Sequence, residues 1–245
     1  MRELVLVGIG TGAPGHLTDD GRDALTRADV VLLPRKGSDK AALAELRVAL
    51  LRSIGSSARI APFDMPNRNE ILPYEERVER WHDAIAAVWA EALRVAKPQG
   101  AVALMVWGDP GLYDSTLRIA ARLDPVPRLR VIPGITALQA LTAAHAIPFN
   151  SVAGSVLVTT GRRLRTEGWP ANAETVAVML DGDGAFAALP DQGLHIWWGA
   201  YLGMTEQILD AGPIAEAAPR IASARAAARL RHGWIMDTYL LRRGA

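Results

Sequence analysis

The sequence predicts an α/β protein made of two α/β domains, and three observations carry that expectation. Up to residue 148, short apolar runs alternate with segments of helical periodicity, as a parallel sheet covered by helices requires. Three of those runs stop at glycine and proline: Gly8-Ile9-Gly10-Thr11-Gly12-Ala13-Pro14-Gly15, Gly108-Asp109-Pro110-Gly111 and Pro133-Gly134-Ile135-Thr136. Such breaks put exposed backbone at the carboxyl edge of a sheet, where open α/β folds bind ligands. After Ile147-Pro148-Phe149-Asn150 the pattern changes to strands with fewer helices between them. The expected domains are therefore 1–148 and 149–245, with a cleft for ligands between them.

The elements follow in order. Leu4–Ile9 reads as a strand, and four glycines in the eight residues from Gly8 allow a sharp turn and close backbone approach. The spacing departs from the dinucleotide fingerprint, because Pro14 and Gly15 stand where a helix should already run. That helix is expected later, with Thr18 or Asp19 as N-cap and Ala24-Leu25 buried. Val30–Leu33 is a second strand ending at Pro34, Ala41–Leu51 a helix, and Arg59–Ala61 a short strand. Pro62–Pro73 is a loop. Over Tyr74–Ala96, Val78, Trp81, Ile85, Val88, Trp89 and Leu93 recur at steps of mostly three and four residues, the pattern of an amphipathic helix.

Ala101–Val106 is a buried strand that breaks at Gly108, and a helix runs from the following loop to about Leu123. Leu129–Ile132 is the next strand, followed by a small-residue helix over Ala137–His145. In the second half the strands are Val156–Thr159, Val176–Leu180, His195–Trp198 and Trp234–Leu241. Gly161–Glu174, with Arg162, Arg163 and Arg165, reads as a mobile loop, and Met204–Leu209 as a short helix. Pro213–Leu230 is rich in alanine and arginine.

Composition narrows the function. The 245 residues are 50% hydrophobic and 22% charged, enough for a large core and too apolar for disorder. With 27 basic and 26 acidic residues the net charge is +1, which argues against a general nucleic-acid binder. There is no cysteine, so disulfides, thiolate metal sites and cysteine nucleophiles are excluded. No metal site is expected. The first apolar run is broken by glycine too soon for a signal peptide, and no run approaches the ~18 residues of a membrane span. These features predict a cytoplasmic protein with no membrane partner.

Taken together, the glycine-rich turn over Gly8–Thr18, the Gly108-Asp109-Pro110 loop and Val131-Ile132-Pro133-Gly134-Ile135-Thr136-Ala137 resemble the tetrapyrrole (corrin/porphyrin) methylase family. The resemblance covers essentially the whole chain. It implies a methyltransferase that uses S-adenosyl-L-methionine, bound between two α/β domains, and a homodimer. Cofactor contact carries over to Thr11, Trp107, Gly108, Asp109, Leu112, Thr136, Ala137 and Met179. Core packing is the competing account of Leu112 and Ala137, and turn chemistry that of Asp109. Two departures stand out. Ala13 occupies the place of a common aspartate, and Met179-Leu180-Asp181-Gly182 replaces a common Met-Gly pair. The pair leaves open whether Met179 or Leu180 faces the cofactor.

Longer matches point within the family to a C-1 methylase acting on a precorrin. They are Val106-Trp107-Gly108-Asp109-Pro110-Gly111-Leu112-Tyr113-Asp114-Ser115-Thr116, Leu202-Gly203-Met204-Thr205-Glu206-Gln207 and Gly233-Trp234-Ile235-Met236-Asp237-Thr238-Tyr239-Leu240. The implied substrate is a tetrapyrrole bearing many carboxylates, which arginine suits. Arg220, Arg225, Arg229 and Arg231 are candidates, as are Arg162, Arg163 and Arg165, with a solvated helix face as the alternative. Loss of an acetyl group at C-1 calls for a base near water and a donor for the carbonyl oxygen. Asp114 and Tyr113 are the candidate catalytic residues, with His232 and Asp237 the other polar residues near the motifs.

Other readings make different demands. Diphthine-type and other corrin methylases share these loops. A nicotinamide-dependent dehydrogenase needs an acidic residue about 20 residues after the first turn, where this chain has Pro34-Arg35-Lys36. A non-catalytic tetrapyrrole- or nucleotide-binding module would use the same loops without turnover.

Overall fold

The computed structural model describes residues 3–35, 37, 41–67, 71–190 and 193–244. Part of the Pro62–Pro73 loop, residues 68–70, and Lys36 lie outside the described residues. The chain forms two α/β units, one made of Met1–Gly10 and Pro14–Ile135, the other of Thr11–Ala13 and Thr136–Ala245.

The first unit runs β1 (Glu3–Gly8), α1 (Asp19–Arg27), β2 (Val30–Arg35), α2 (Ala41–Ser53), β3 (Arg59–Asp64), α3 (Tyr74–Ala96), β4 (Ala101–Val106), α4 (Thr116–Ala120) and β5 (Leu129–Ile132). Its five strands lie in the order β3-β2-β4-β1-β5, and every pair is parallel. Such a sheet is covered on both faces, which is why its central strands are apolar without alternation. Alternate residues feed two cores. Leu4, Leu6, Val102 and Leu104 pack with Ile85 and Trp89 of α3. Val5, Val7, Ala103 and Met105 pack with Leu25 of α1 and Leu50 of α2. Thr18 caps α1, its hydroxyl accepting from the Gly21 amide at 3.1 Å.

The second unit contains α5 (Ala137–His145), β6 (Val156–Thr160), α6 (Gly161–Glu167), β7 (Thr175–Met179), β8 (Leu194–Ala200), β9 (Ile208–Pro213), α7 (Ile214–His232) and β10 (Asp237–Arg243). The strand order is β6-β7-β10-β8-β9, with β6 and β7 parallel and the other pairs antiparallel. The sequence places the division between domains after α5. In the structure α5 groups with the second unit, because Ala140 and Leu141 pack against Leu202 and Leu240.

Several elements differ from the sequence reading. β2 runs past Pro34 to Arg35, and β3 continues through Pro62–Asp64, where a loop is expected. Gly161–Glu167, expected as part of a loop, is helix α6, capped by the Thr160 hydroxyl and closed at Gly168, with Leu164 buried. Met204–Leu209, expected as a short helix, is not helical, and Ile208–Pro213 forms the edge strand β9 against β8. The last strand begins at Asp237 rather than Trp234.

Candidate functional site

In the first unit the neighbouring strands β4, β1 and β5 all end in the glycine-bearing loops that the sequence singles out. Gly10 and Gly108 form a two-way backbone bridge, Gly108 N to Gly10 O at 2.7 Å and Gly10 N to Gly108 O at 3.3 Å. A Cβ on Gly8 would lie 2.6 Å from the Gly134 amide nitrogen, and one on Gly134 would overlap the Gly108 carbonyl oxygen. Only glycine permits this approach of three backbones. Asp109 completes the knot: Oδ1 accepts from Gly111 N at 2.7 Å and Oδ2 from Gly134 N at 2.9 Å.

Around that knot stand the other first-unit candidates. Trp107 is half-buried beneath the guanidinium of Arg47 on α2, 4.6 Å above its ring centroid. Leu112 is half-buried in the turn after Gly108, its amide donating to the Asp109 carbonyl at 3.2 Å. Tyr113 is 43% exposed and holds a left-handed backbone at φ 49°. Asp114 Oδ1 accepts from the Thr116 amide at 2.7 Å and from the Thr116 hydroxyl, which fastens the start of α4.

Sequence reasoning missed Arg47. It is 7% exposed, and it donates from Nε to the Met105 carbonyl at 3.4 Å and from Nη1 to the Leu43 carbonyl at 3.1 Å. Burial lowers its pKa to about 10, against the opposing pull of Asp114. Nothing in an amphipathic helix pattern distinguishes such an arginine from a solvated one.

The second unit holds the remaining candidates. The Thr11 hydroxyl donates to the Leu202 carbonyl at 2.5 Å. Thr136 caps α5 by accepting from the Leu138 amide at 3.2 Å, and Ala137 opens that helix against the Leu141 cluster. Met179 ends β7, opposite Thr160 of β6. Leu180 follows with φ 54° and 65% exposure. The left-handed position is one that glycine fills without strain, so the departure from Met-Gly falls where the backbone favours glycine. Tyr201, after β8, is also left-handed, and its buried ring donates through its hydroxyl to the Trp234 carbonyl. Non-glycine residues with positive φ cluster at functional sites.

The candidate arginines are mostly engaged within the unit. Arg163 pairs with Glu167, Arg165 with Asp183, and Arg220 with Asp210. Arg225 is buried, its Nε 2.8 Å from Asp237 Oδ2. Arg229 donates to the Gly182 carbonyl. His232 packs edge-on to Tyr201. Burial raises the Asp237 pKa although Arg225 and the Trp198 indole oppose it. Among the described residues, no group of three acidic, histidine or cysteine side chains is placed to hold a metal ion.

The model of the tetrapyrrole (corrin/porphyrin) methylases matches residues 3–218. The chain belongs to this family. A precorrin-6A synthase [deacetylating] of Sinorhizobium sp is 44% identical over 253 residues, covering 100% of this chain and 97% of that protein. The structure of a cobalamin synthesis related protein (CobF) from Corynebacterium diphtheriae superposes with a TM-score of 0.84 at 37% identity, covering 99% of each chain. Uroporphyrin-III C-methyl transferase from Thermus thermophilus, solved with S-adenyl homocysteine, shares the fold at 18% identity and a TM-score of 0.61, over 98% of this chain and 97% of that one. As a tetrapyrrole methylase the chain is a methyltransferase. Among its described residues no helix is long and apolar enough to cross a membrane.

Proposed function

We propose that this tetrapyrrole methylase is a precorrin-6A synthase of aerobic cobalamin biosynthesis. It converts precorrin-5 to precorrin-6A by methylating C-1 and releasing the acetyl group there as acetate. The observation that carries this reading is the 44% identity to a protein of that activity across 100% of the chain.

S-adenosyl-L-methionine is the proposed cofactor, and it supplies a methyl group already activated as a sulfonium. The residues present fit it. A side-chain-free knot of backbone at Gly8, Gly108 and Gly134 suits a ligand recognised through main-chain groups, and the chain needs no nucleophile of its own. By the family resemblance, Thr11, Trp107, Gly108, Asp109, Leu112, Thr136, Ala137 and Met179 are the residues proposed to contact it. Asp109 acts through the loop it ties, since both its oxygens already accept amides.

Loss of the acetyl group consumes water. Water adds to the acetyl carbonyl, the bond to C-1 breaks with its electrons left on C-1, acetate departs, and those electrons form the new bond from C-1 to the methyl group. Asp114 is the proposed base for that water and the Tyr113 hydroxyl the proposed donor to the carbonyl oxygen. Both sit on the loop that leaves β4. The enzyme is proposed to work in the cytoplasm as a homodimer.

Incubation with S-adenosyl-L-methionine and precorrin-5 tests the assignment. The expected products are a C-1-methylated, deacetylated corrin precursor and one acetate per turnover. Methylation of another precorrin with no acetate released would transfer the chain to a different methylase activity.

A further inference from the structure

Helix α7 carries arginines at 225 and 229, one turn apart, and both guanidiniums reach the segment that follows β7. Arg225 Nη2 donates to the Asp181 carbonyl and Arg229 Nη2 to the Gly182 carbonyl. These are consecutive carbonyls, directly after Leu180 in its left-handed conformation. The Asp181 side chain grips the same segment from within. Its oxygens accept from Gly184 N at 3.0 Å, Ala185 N at 2.6 Å and the Tyr239 hydroxyl at 2.7 Å. Gly161 is the residue that leaves room for this carboxylate, since a Cβ there would overlap it.

The two arginines differ in their surroundings. Arg225 is buried, and its charge is met by Asp237, whose side chain is 7% exposed and also accepts from the Trp198 indole at 2.8 Å. Arg229 is exposed, so removing it leaves no uncompensated buried charge. A leucine keeps positive φ only where its surroundings over-determine the backbone. Here the surroundings are two guanidinium-to-carbonyl bonds and one multiply bonded carboxylate.

We propose that Arg225 and Arg229 are positioning residues, a clamp on the Leu180–Gly182 turn that holds Met179 and Leu180 as a preformed wall for the methyl donor. The inference rests on the cofactor reading above, and it moves these two arginines from substrate-carboxylate partners to backbone supports.

The test compares wild type with Arg229→Ala and Arg225→Lys in three measurements. They are S-adenosylhomocysteine affinity by calorimetry, amide hydrogen exchange of residues 180–185 in the ligand-free protein, and melting temperature. Arg229→Ala, at an exposed site, is expected to melt within about 2 °C of wild type. Its 180–185 amides should exchange faster, and ligand affinity should fall by about tenfold, as for one lost charge-assisted hydrogen bond. Arg225→Lys keeps a cation facing Asp237 and is expected to shift exchange and affinity in the same direction. Wild-type exchange and affinity in both variants would overturn the proposal. So would faster exchange spread over the whole second unit, which marks a general loss of stability. A wild-type chain that binds no S-adenosylhomocysteine would overturn the cofactor reading and the wall with it, whereas binding that is unchanged in the variants would remove the clamp alone.

Discussion

Asp109 and Gly134 are joined across two loops, the carboxylate Oδ2 accepting the Gly134 amide at 2.9 Å. The same carboxylate holds Gly111, so one side chain sets the loop after β4 and fastens it to the loop after β5. Asp109→Ala removes both bonds and is expected to cost about 3–6 kcal/mol, given ~1.5–3 kcal/mol for each hydrogen bond to a charged group. Asp109→Asn keeps one acceptor oxygen and should lose about half as much. Urea midpoints measure both, and equal losses would show that charge rather than the second bond matters.

The glycine knot makes a sharper demand. Gly134→Ala drives a methyl group into the Gly108 carbonyl, which is backbone and cannot turn aside. Overpacking of that kind costs about 1–3 kcal/mol or more. Gly15→Ala meets nothing within 4 Å and serves as the matched control, expected within ~0.5 kcal/mol of wild type. If the two alanine variants melt together, the three backbones are not held as described.

Arg47 poses a contest between charge and packing. Its guanidinium pays a desolvation cost that already lowers its pKa to about 10, yet its stem and plane fill the space against Trp107. Replacing a buried charge with an apolar side chain of similar volume is often neutral. Arg47→Met is therefore expected within about 1 kcal/mol of wild type, while Arg47→Ala leaves a void and should lose ~2–4 kcal/mol. Chemical denaturation separates the two. A methionine variant as unstable as the alanine one would assign the role to the charge.

Asp237 gives a pH prediction with a defined sign. Burial raises its pKa above the ordinary 3.8, so the folded protein binds this proton more tightly than the unfolded chain. The stability it contributes is fully present below pH 3.8 and is lost as pH rises through the raised value. Asp237→Asn has no proton to lose. The melting temperature of wild type minus that of D237N should therefore fall as pH climbs from about 4. A difference that widens over the same range would falsify the assignment.

Asp114→Asn addresses the chemistry. Methyl transfer and acetate release are measured separately, and release of acetate is expected to fall by at least ~10²-fold, as for loss of a general base. Unchanged rates of both would remove Asp114 from the reaction.

Much of this was legible in the sequence. Tyr74–Ala96, Ala101–Val106, Leu129–Ile132 and Ala137–His145 form the expected elements because apolar periodicity and glycine or proline stops agree at each. Helix α6 escaped because its one fully buried side chain, Leu164, gives no period; the flanking Thr160 and Gly168 were the usable signals. Strand β9 escaped because, as an edge strand, it buries little and shows no clean alternation. The glycine loops were legible as close approaches, but not which backbone each one meets. Arg47 and Arg225 were illegible for a plainer reason: a buried cation and a solvated one are the same letter, and only the packed partner tells them apart.

Thr11–Ala13 belongs to the second unit although the chain on either side belongs to the first. A cut at Ile135–Thr136 therefore does not release the second unit whole. The fragment from Thr136 onward lacks the hydroxyl that the Leu202 carbonyl accepts. The loop between β1 and α1 thus lends three residues to a unit whose remaining chain begins more than a hundred positions downstream.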